Sequence, residues 1–249
     1  MTELPTLPVL GIPFSTLSVK EICAEVRRAA DERSPLWIST ANLDWVAMSR
    51  TDEVFMGHIH ASEIVTCDGA PVMHLAKIAG KPLPHRVTGV ELFRRLREGC
   101  AGTLRVGFFG GEGTEAEDAS KVLNEETGPL IGAGGYNPGH GSVEELSAEE
   151  HLTPVRAMDA DILVLALGAA KGQAWIARNR ESLGVPVISH LGAVVRHVAG
   201  ATVEAPEVLA KTGFEWAYRA WNEPELRKRY AGNFVALPGL MMAAARERG

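Results

Sequence analysis

Two side chains in neighbouring short motifs suit chemistry together: the acid of Thr66-Cys67-Asp68-Gly69-Ala70-Pro71 and the arginine of Pro84-His85-Arg86-Val87-Thr88-Gly89. Asp68 closes the apolar run Ile64-Val65. A buried strand of an α/β protein delivers a carboxylate to its C-terminal edge in this way, where such folds bind ligands. Arg86 precedes a Thr-Gly turn and another helix. A carboxylate can take a proton and a guanidinium can hold an anion through a bidentate fork, so the pair suits a phosphorylated substrate. The plain alternative is an Asp-Gly turn, in which glycine supplies a positive φ and aspartate caps backbone N–H groups.

The elements that position these residues follow from hydrophobic periodicity. Leu36 to Thr40 reads as a strand, and Thr40 and Asn42 at its end either grip a polar ligand or cap the next helix. Thr51 to His60 continues as helix, with Val54 and Ile59 facing inward. Leu104 to Phe109, Gly110-Gly111-Glu112-Gly113 and a helix from Glu115 resemble a mononucleotide-binding βα unit, whose helix-start N–H groups attract phosphate. The glycine spacing is not G-x-G-x-x-G, so a dinucleotide site is unsupported, and Glu112 would repel a phosphate placed too close. Leu130 to Ala133 reads as a short strand and Gly134 to Gly141 as a mobile loop. Glu144 to Met158 reads as largely helical, broken near Pro154.

Asp161 to Leu167 is apolar without a break from Ile162 on, which marks a central parallel strand buried on both faces. Lys171, in the loop after it, is either a plain surface residue or a ligand contact, and its place at the C-terminal end of a central strand favours the contact. Ser18 and Glu21 form a capping box before the helix from Val19, and Leu7 to Ile12 reads as an edge strand. Ala205 to Tyr218 and Glu225 to Tyr230 read as helices, and the apolar tail from Phe234, flanked by arginines, can pack on the body or lie on a membrane surface, its short length favouring packing. Strands alternating with helices imply an α/β fold with an open, mostly parallel, Rossmann-like sheet covered on both faces. The expected division is a core over residues 1–212 and a C-terminal helical appendage over 213–249.

Composition narrows the field. The chain has 249 residues, 46% of them hydrophobic and 22% charged, and a formal net charge of −6 that disfavours a nucleic-acid partner. Cys23, Cys67 and Cys100 are widely spaced, so neither a metal cluster nor a disulfide framework is expected, and a reducing compartment is the natural home. The first residues lack a secretory pattern, and no apolar run reaches the length of about 18 residues that a spanning helix needs.

In order, the motifs Thr40-Ala41-Asn42, Cys67-Asp68-Gly69, His85-Arg86-Val87-Thr88-Gly89, Phe108-Phe109-Gly110-Gly111, Gly135-Tyr136 and Leu167-Gly168 lead to Glu215-Trp216-Ala217-Tyr218-Arg219, Glu223-Pro224 and Arg227-Lys228-Arg229-Tyr230. This ordered set resembles the WecG/TagA/CpsF family of bacterial glycosyltransferases. The resemblance implies transfer of a sugar from a nucleotide-sugar donor, usually UDP-linked, to a polyprenyl-diphosphate-linked acceptor. It implies inversion to a β-linkage, no metal and no other cofactor. The setting would be cell-surface or exopolysaccharide assembly, by a cytoplasmic protein held peripherally at the inner face of the membrane. A homo-oligomer is left open.

By the same resemblance, Asp68 matches the general base, Thr40 and Asn42 match polar residues of its pocket, and Arg86 matches a pocket arginine. Thr88, Gly89, Gly110, Gly111, Glu112, Gly135, Tyr136, Gly168, Lys171 and Gln173 complete the expected substrate and nucleotide contacts. Arg219, Arg227 and Arg229 lie in the appendage, which in this family closes over the site and supplies positive charge to the leaving diphosphate. Three departures stand out. Ala170-Lys171-Gly172-Gln173 replaces the usual Pro-Lys-Gln-Glu, Val195-Arg196 replaces Phe-Asp, and Glu204-Ala205-Pro206 replaces Arg-Ala-Pro. The lost glutamine and glutamate keep a second reading in view, that of a non-catalytic or divergent member binding a nucleotide-sugar or a partner enzyme.

Overall fold

The computed structural model describes residues 4–201 and 225–248. Among them, β1 (Thr6–Val9) and β2 (Ile12–Ser15) form an antiparallel hairpin. A separate all-parallel sheet is built from β3 (Leu36–Ala41), β4 (Ile64–Cys67), β5 (Leu104–Gly110), β6 (Leu130–Tyr136), β7 (Ile162–Ala166) and β8 (Val187–His190). Its strand order is β4-β3-β8-β7-β5-β6, which puts the continuously apolar β7 in the middle, as its composition requires. The expected edge strand at Leu7 to Ile12 is instead the hairpin, because Leu10 and Gly11 both take positive φ and turn the chain back on itself.

The helices are α1 (Val19–Glu32), α2 (Leu43–Ser49), α3 (Glu53–His60), α4 (Ala70–Ile78) and α5 (Gly89–Arg97). They continue as α6 (Glu115–Glu125), α7 (Glu149–Ala157), α8 (Ala169–Asn179), α9 (Gly192–Val198) and α10 (Glu225–Glu247). On one face, α1, α5, α6 and α9 bury Val26, Leu92, Ala119 and Val194 against Ile38, Val106 and Val164. On the other, α7 and α8 cover Trp37, Phe109 and Leu165, while α2, α3 and α4 enclose the hairpin and the outer face of β4. Each sheet face is apolar along alternate residues, so both need a helical layer to exclude water.

Several expected boundaries move for local reasons. Asp52 caps a separate α3 by accepting from Phe55 N at 2.9 Å, so the helix over Thr51 to His60 starts later and rotates. Val54 is consequently 70% exposed, and Phe55 joins Ile59 in the core. Gly134 to Tyr136, expected in the loop, extend β6 instead. A Cβ on Gly132 would stand 2.1 Å from Ser120 O and one on Gly135 2.1 Å from the Ala116 carbonyl, so bare backbone lets α6 rest directly on β6. Pro154 lies inside α7, and the break falls earlier, at Ala148, after a 3-10 turn over Glu145–Ser147. The capping box of Ser18 and Glu21 is present, whereas Thr114 makes no side-chain cap and donates to Asp118 Oδ2 at 2.6 Å.

The expectation that no disulfide forms is overturned: Cys23 and Cys100 are bonded across 77 residues, with Cα atoms 5.8 Å apart. The packing of α5 on α1 brings them together, a tertiary relationship that cysteine spacing does not carry. Cys100 lies toward the N-terminal edge of the sheet, in the turn that leads from α5 into β5. The short terminal helix expected over Glu225 to Tyr230 runs on as α10 through Pro238. Leu240 and Ala244 are buried against α2 and α4, and Lys81 pairs with Glu247 at 3.2 Å. The helix expected over Ala205 to Tyr218 and the appendage start near Gly213 lie outside the described residues.

Candidate active site

All six strands end on one edge. In order along it stand Asp68 after β4, Asn42 after β3, Leu191 after β8, Leu167 and Gly168 after β7, Gly111 after β5, and Asn137 after β6. The chain leaves β5 toward β6 and leaves β7 the opposite way toward β8, so the two strands flank a topological switch point where open α/β sheets bind ligands. Gly110 and Gly111 make that junction tight. Gly111 N–H donates to Ala166 O at 2.9 Å, and a Cβ on Gly110 would meet that oxygen at 2.6 Å.

Asp68 is half-buried and held from two sides. Its backbone N–H donates to Ala41 O at 3.0 Å, tying the ends of β3 and β4 together. The N–H of Gly89, at the start of α5, stands 3.5 Å from Asp68 Oδ2. The intervening segment is anchored by Val87 N–H on Cys67 O at 3.0 Å and by Thr88, which caps α5 through Glu91 N–H at 3.1 Å. A Cβ on Gly89 would meet Leu191 Cδ2 at 3.1 Å and Thr40 Oγ1 at 3.6 Å, so Asp68, Gly89 and Thr40 share one corner. Arg86 is exposed beside it. Burial first, and then the Asp68 charge, push the neighbouring Cys67 thiol up to about 12, while Arg86 acts to lower it. Both charges therefore bear on the same point.

The other expected site residues divide by what already occupies them. Asn42 Oδ1 accepts from Asp44 N at 3.0 Å and Trp45 N at 3.2 Å, capping α2 and leaving its amide Nδ2 for a ligand. Glu112 N–H is taken by Glu115 Oε2 at 2.9 Å, and Glu115 is also paired with Arg196 at 3.2 Å. A carboxylate thus fills the helix-start position that a phosphate would need at α6. Gly135 serves packing, and Tyr136 OH is bonded to His151 Nδ1 at 2.8 Å. Lys171 Nζ donates to Gly141 O at 2.6 Å, while Asn137 Nδ2 donates to Gly113 O at 2.8 Å. The segment 137–141 thereby straps the loops on either side of the switch point.

Gly69 and Gly168, with φ of 122° and 79°, open α4 and α8 without side-chain caps, so both helix starts present backbone N–H groups at the edge. Gln173 is fully buried, below the edge, where its Oε1 accepts from Ser39 Oγ at 3.1 Å. Arg219 lies outside the described residues, as do the side chains of Arg227 and Arg229, whose backbone forms the first turns of α10. One residue at the edge went unread in the sequence. His190 ends β8 midway along it and is almost wholly buried, and its only signal was a histidine closing a central strand. Away from this edge, a groove of about 490 Å³ is lined by Ala24, Arg27, Arg28, Asp31, Glu32 and Cys100. Its arginines are paired with Asp31, Glu25 and Glu32, which makes it a solvated ion-pair surface.

The fold and this edge define an α/β protein with an open parallel sheet and an acidic corner beside a glycine-lined switch point. The chain belongs to the WecG/TagA/CpsF family of glycosyl transferases, whose model matches residues 7–249. It is similar to the N-acetylglucosaminyldiphosphoundecaprenol N-acetyl-beta-D-mannosaminyltransferases of Staphylococcus aureus strains NCTC 8325 / PS 47, COL and MRSA252. Each is 23% identical over 214 residues, covering 85% of this chain and 83% of the relative. A solved structure of a mutant arylmalonate decarboxylase in its sulfate-associated form aligns over 80% of this chain and 83% of its own. Its identity is 19% and its TM-score 0.26, too low to carry an argument. No helix among the described residues is long and apolar enough to cross a membrane.

Proposed function

We propose that this protein is an inverting glycosyltransferase that moves a sugar from a UDP-sugar to a polyprenyl-diphosphate-linked acceptor sugar, making a β-linkage for surface or exopolysaccharide assembly. The observation that carries the reading is the corner at which half-buried Asp68 meets Thr40, Gly89 and Arg86 on the strand-end edge. The activity named for the Staphylococcus aureus relatives supports the lipid-linked acceptor and the amino-sugar donor class.

In this reading Asp68 takes the proton of the acceptor hydroxyl. The freed oxygen attacks the anomeric carbon on the face opposite the nucleotide. The bond from that carbon to the diphosphate oxygen breaks, and UDP leaves with the electron pair, so one displacement inverts the centre. Charge gathers on the departing diphosphate, and fixed dipoles and cations are the groups that stabilise it. The uncapped starts of α4 and α8 and Arg86 are suited to that work, with Arg219, Arg227 and Arg229 as the appendage's contribution. The core over 1–212 would hold the donor, and the appendage over 213–249 would close the site at the membrane face.

The test is UDP release by purified protein, across a panel of UDP-sugars, with a short-chain polyprenyl-diphosphate sugar as acceptor. Acceptor-dependent UDP release from one donor is the expected result. UDP binding without turnover on any donor would favour the alternative, a non-catalytic or divergent member prompted by the Gly172 and Gln173 departures.

A further inference from the structure

We propose that His190 is a specificity-determining residue that reads the transferred sugar of the donor, from the space a side chain at position 172 would otherwise fill. This rests on the glycosyltransferase reading above.

Position is the first support. Strands stand about 4.8 Å apart, so the edge from Asp68 at β4 to the β7 and β5 crevice spans three to four strand spacings, with β8 between. A donor whose nucleotide sits at the crevice and whose anomeric carbon faces Asp68 must lay its sugar across β3 and β8. His190 is the last residue of β8 and the register partner of Ser39 in β3.

Fit is the second. A Cβ on Gly172 would stand 2.3 Å from His190 Cδ2 and 2.9 Å from its Nε2. The ring is therefore pressed against the bare backbone of α8, with Trp45 on another side at 5.9 Å between ring centroids. Position 172 lacks a side chain and position 190 supplies one into the same volume, so the two residues act as a unit.

Unmet hydrogen bonding is the third. Nε2 of His190 and Nε2 of Gln173 are both buried without a hydrogen-bond partner, although Gln173 Oε1 is satisfied by Ser39. Groups buried in that state cost stability, and a polar substituent arriving from the edge would relieve that of His190. His190 is 8% exposed, so only a small part of it reaches the edge. A hydroxyl or acetamido group of the sugar has the chemistry to meet it.

The experiment is steady-state kinetics on a panel of UDP-sugars with the wild type, His190→Asn, His190→Ala, Gly172→Ala and the double variant His190→Ala/Gly172→Ala. Thermal melting of each protein reports folding. The expected result is that His190→Asn folds, raises donor KM more than it lowers kcat, and changes the ratio of kcat/KM between two donors by about tenfold. Gly172→Ala should lower the melting temperature in the wild type and cost less beside His190→Ala. Unchanged donor ratios in folded His190→Asn would overturn the proposal, and so would a Gly172→Ala penalty independent of residue 190. A wild type that turns over no donor overturns the glycosyltransferase reading and this proposal with it, a result distinct from unchanged ratios.

Discussion

Gly89 N–H stands 3.5 Å from Asp68 Oδ2, joining the start of α5 to the loop after β4. At that length the contact is weak, and it helps to orient the carboxylate toward the strand-end edge. Gly89 holds this place because Leu191 and Thr40 leave little room for a side chain.

The Cys23–Cys100 bond staples α1 to the turn after α5. Closing a loop of this size stabilises the fold by about 2–4 kcal/mol. Reduction, or Cys23→Ser, should therefore lower the unfolding free energy measured in urea by that amount and move the midpoint to lower urea, while kcat at 25 °C changes little. An unchanged midpoint would mean that the bond does not form in solution.

Acid stability should depend on His190. Burial holds its imidazole neutral, with the pKa lowered from 6.5 to about 4. The unfolded chain takes up a proton near pH 6.5 and the folded chain resists until about pH 4, so stability is full above 6.5 and lost as pH falls through that window. The slope approaches about 1.4 kcal/mol per pH unit. His190→Asn should flatten this part of the curve of unfolding free energy against pH, and an unaltered slope would remove His190 as its source.

Cys67 is a buried thiol pushed up to about 12, so it stays protonated at neutral pH. Iodoacetamide at pH 8 should label it only after urea unfolding, because the thiolate is the reactive species. The same shift means that stability is unaffected below pH 9 and declines as pH rises from 9 toward 12. Rapid labelling of the native protein, read by mass spectrometry, would contradict this placement.

Much of the sheet was legible because its signals are local. The continuous apolar run of β7, the Ser18 cap and the Asp68-Gly69 strand end are read within a few residues. Features set by distant partners were not. Cys23 finds Cys100, α6 presses on the glycines of β6, and His190 fills the place above Gly172 only once helices meet strands. Val54 misled because Asp52 restarts the helix and turns its face outward. Within the site, Asp68 and Asn42 were visible as polar strand ends, but Glu115 taking the α6 start from a phosphate depends on the fold of its own turn.

The central claim is that Asp68 takes the acceptor proton, and the direct measurement compares wild type with Asp68→Asn in acceptor-dependent UDP release. Losing a positioned general base should lower kcat by about 10²–10⁴-fold. The melting temperature and UDP affinity should be nearly unchanged, since the amide keeps the shape of the corner. A folded Asp68→Asn protein that releases UDP at the wild-type rate would contradict the account.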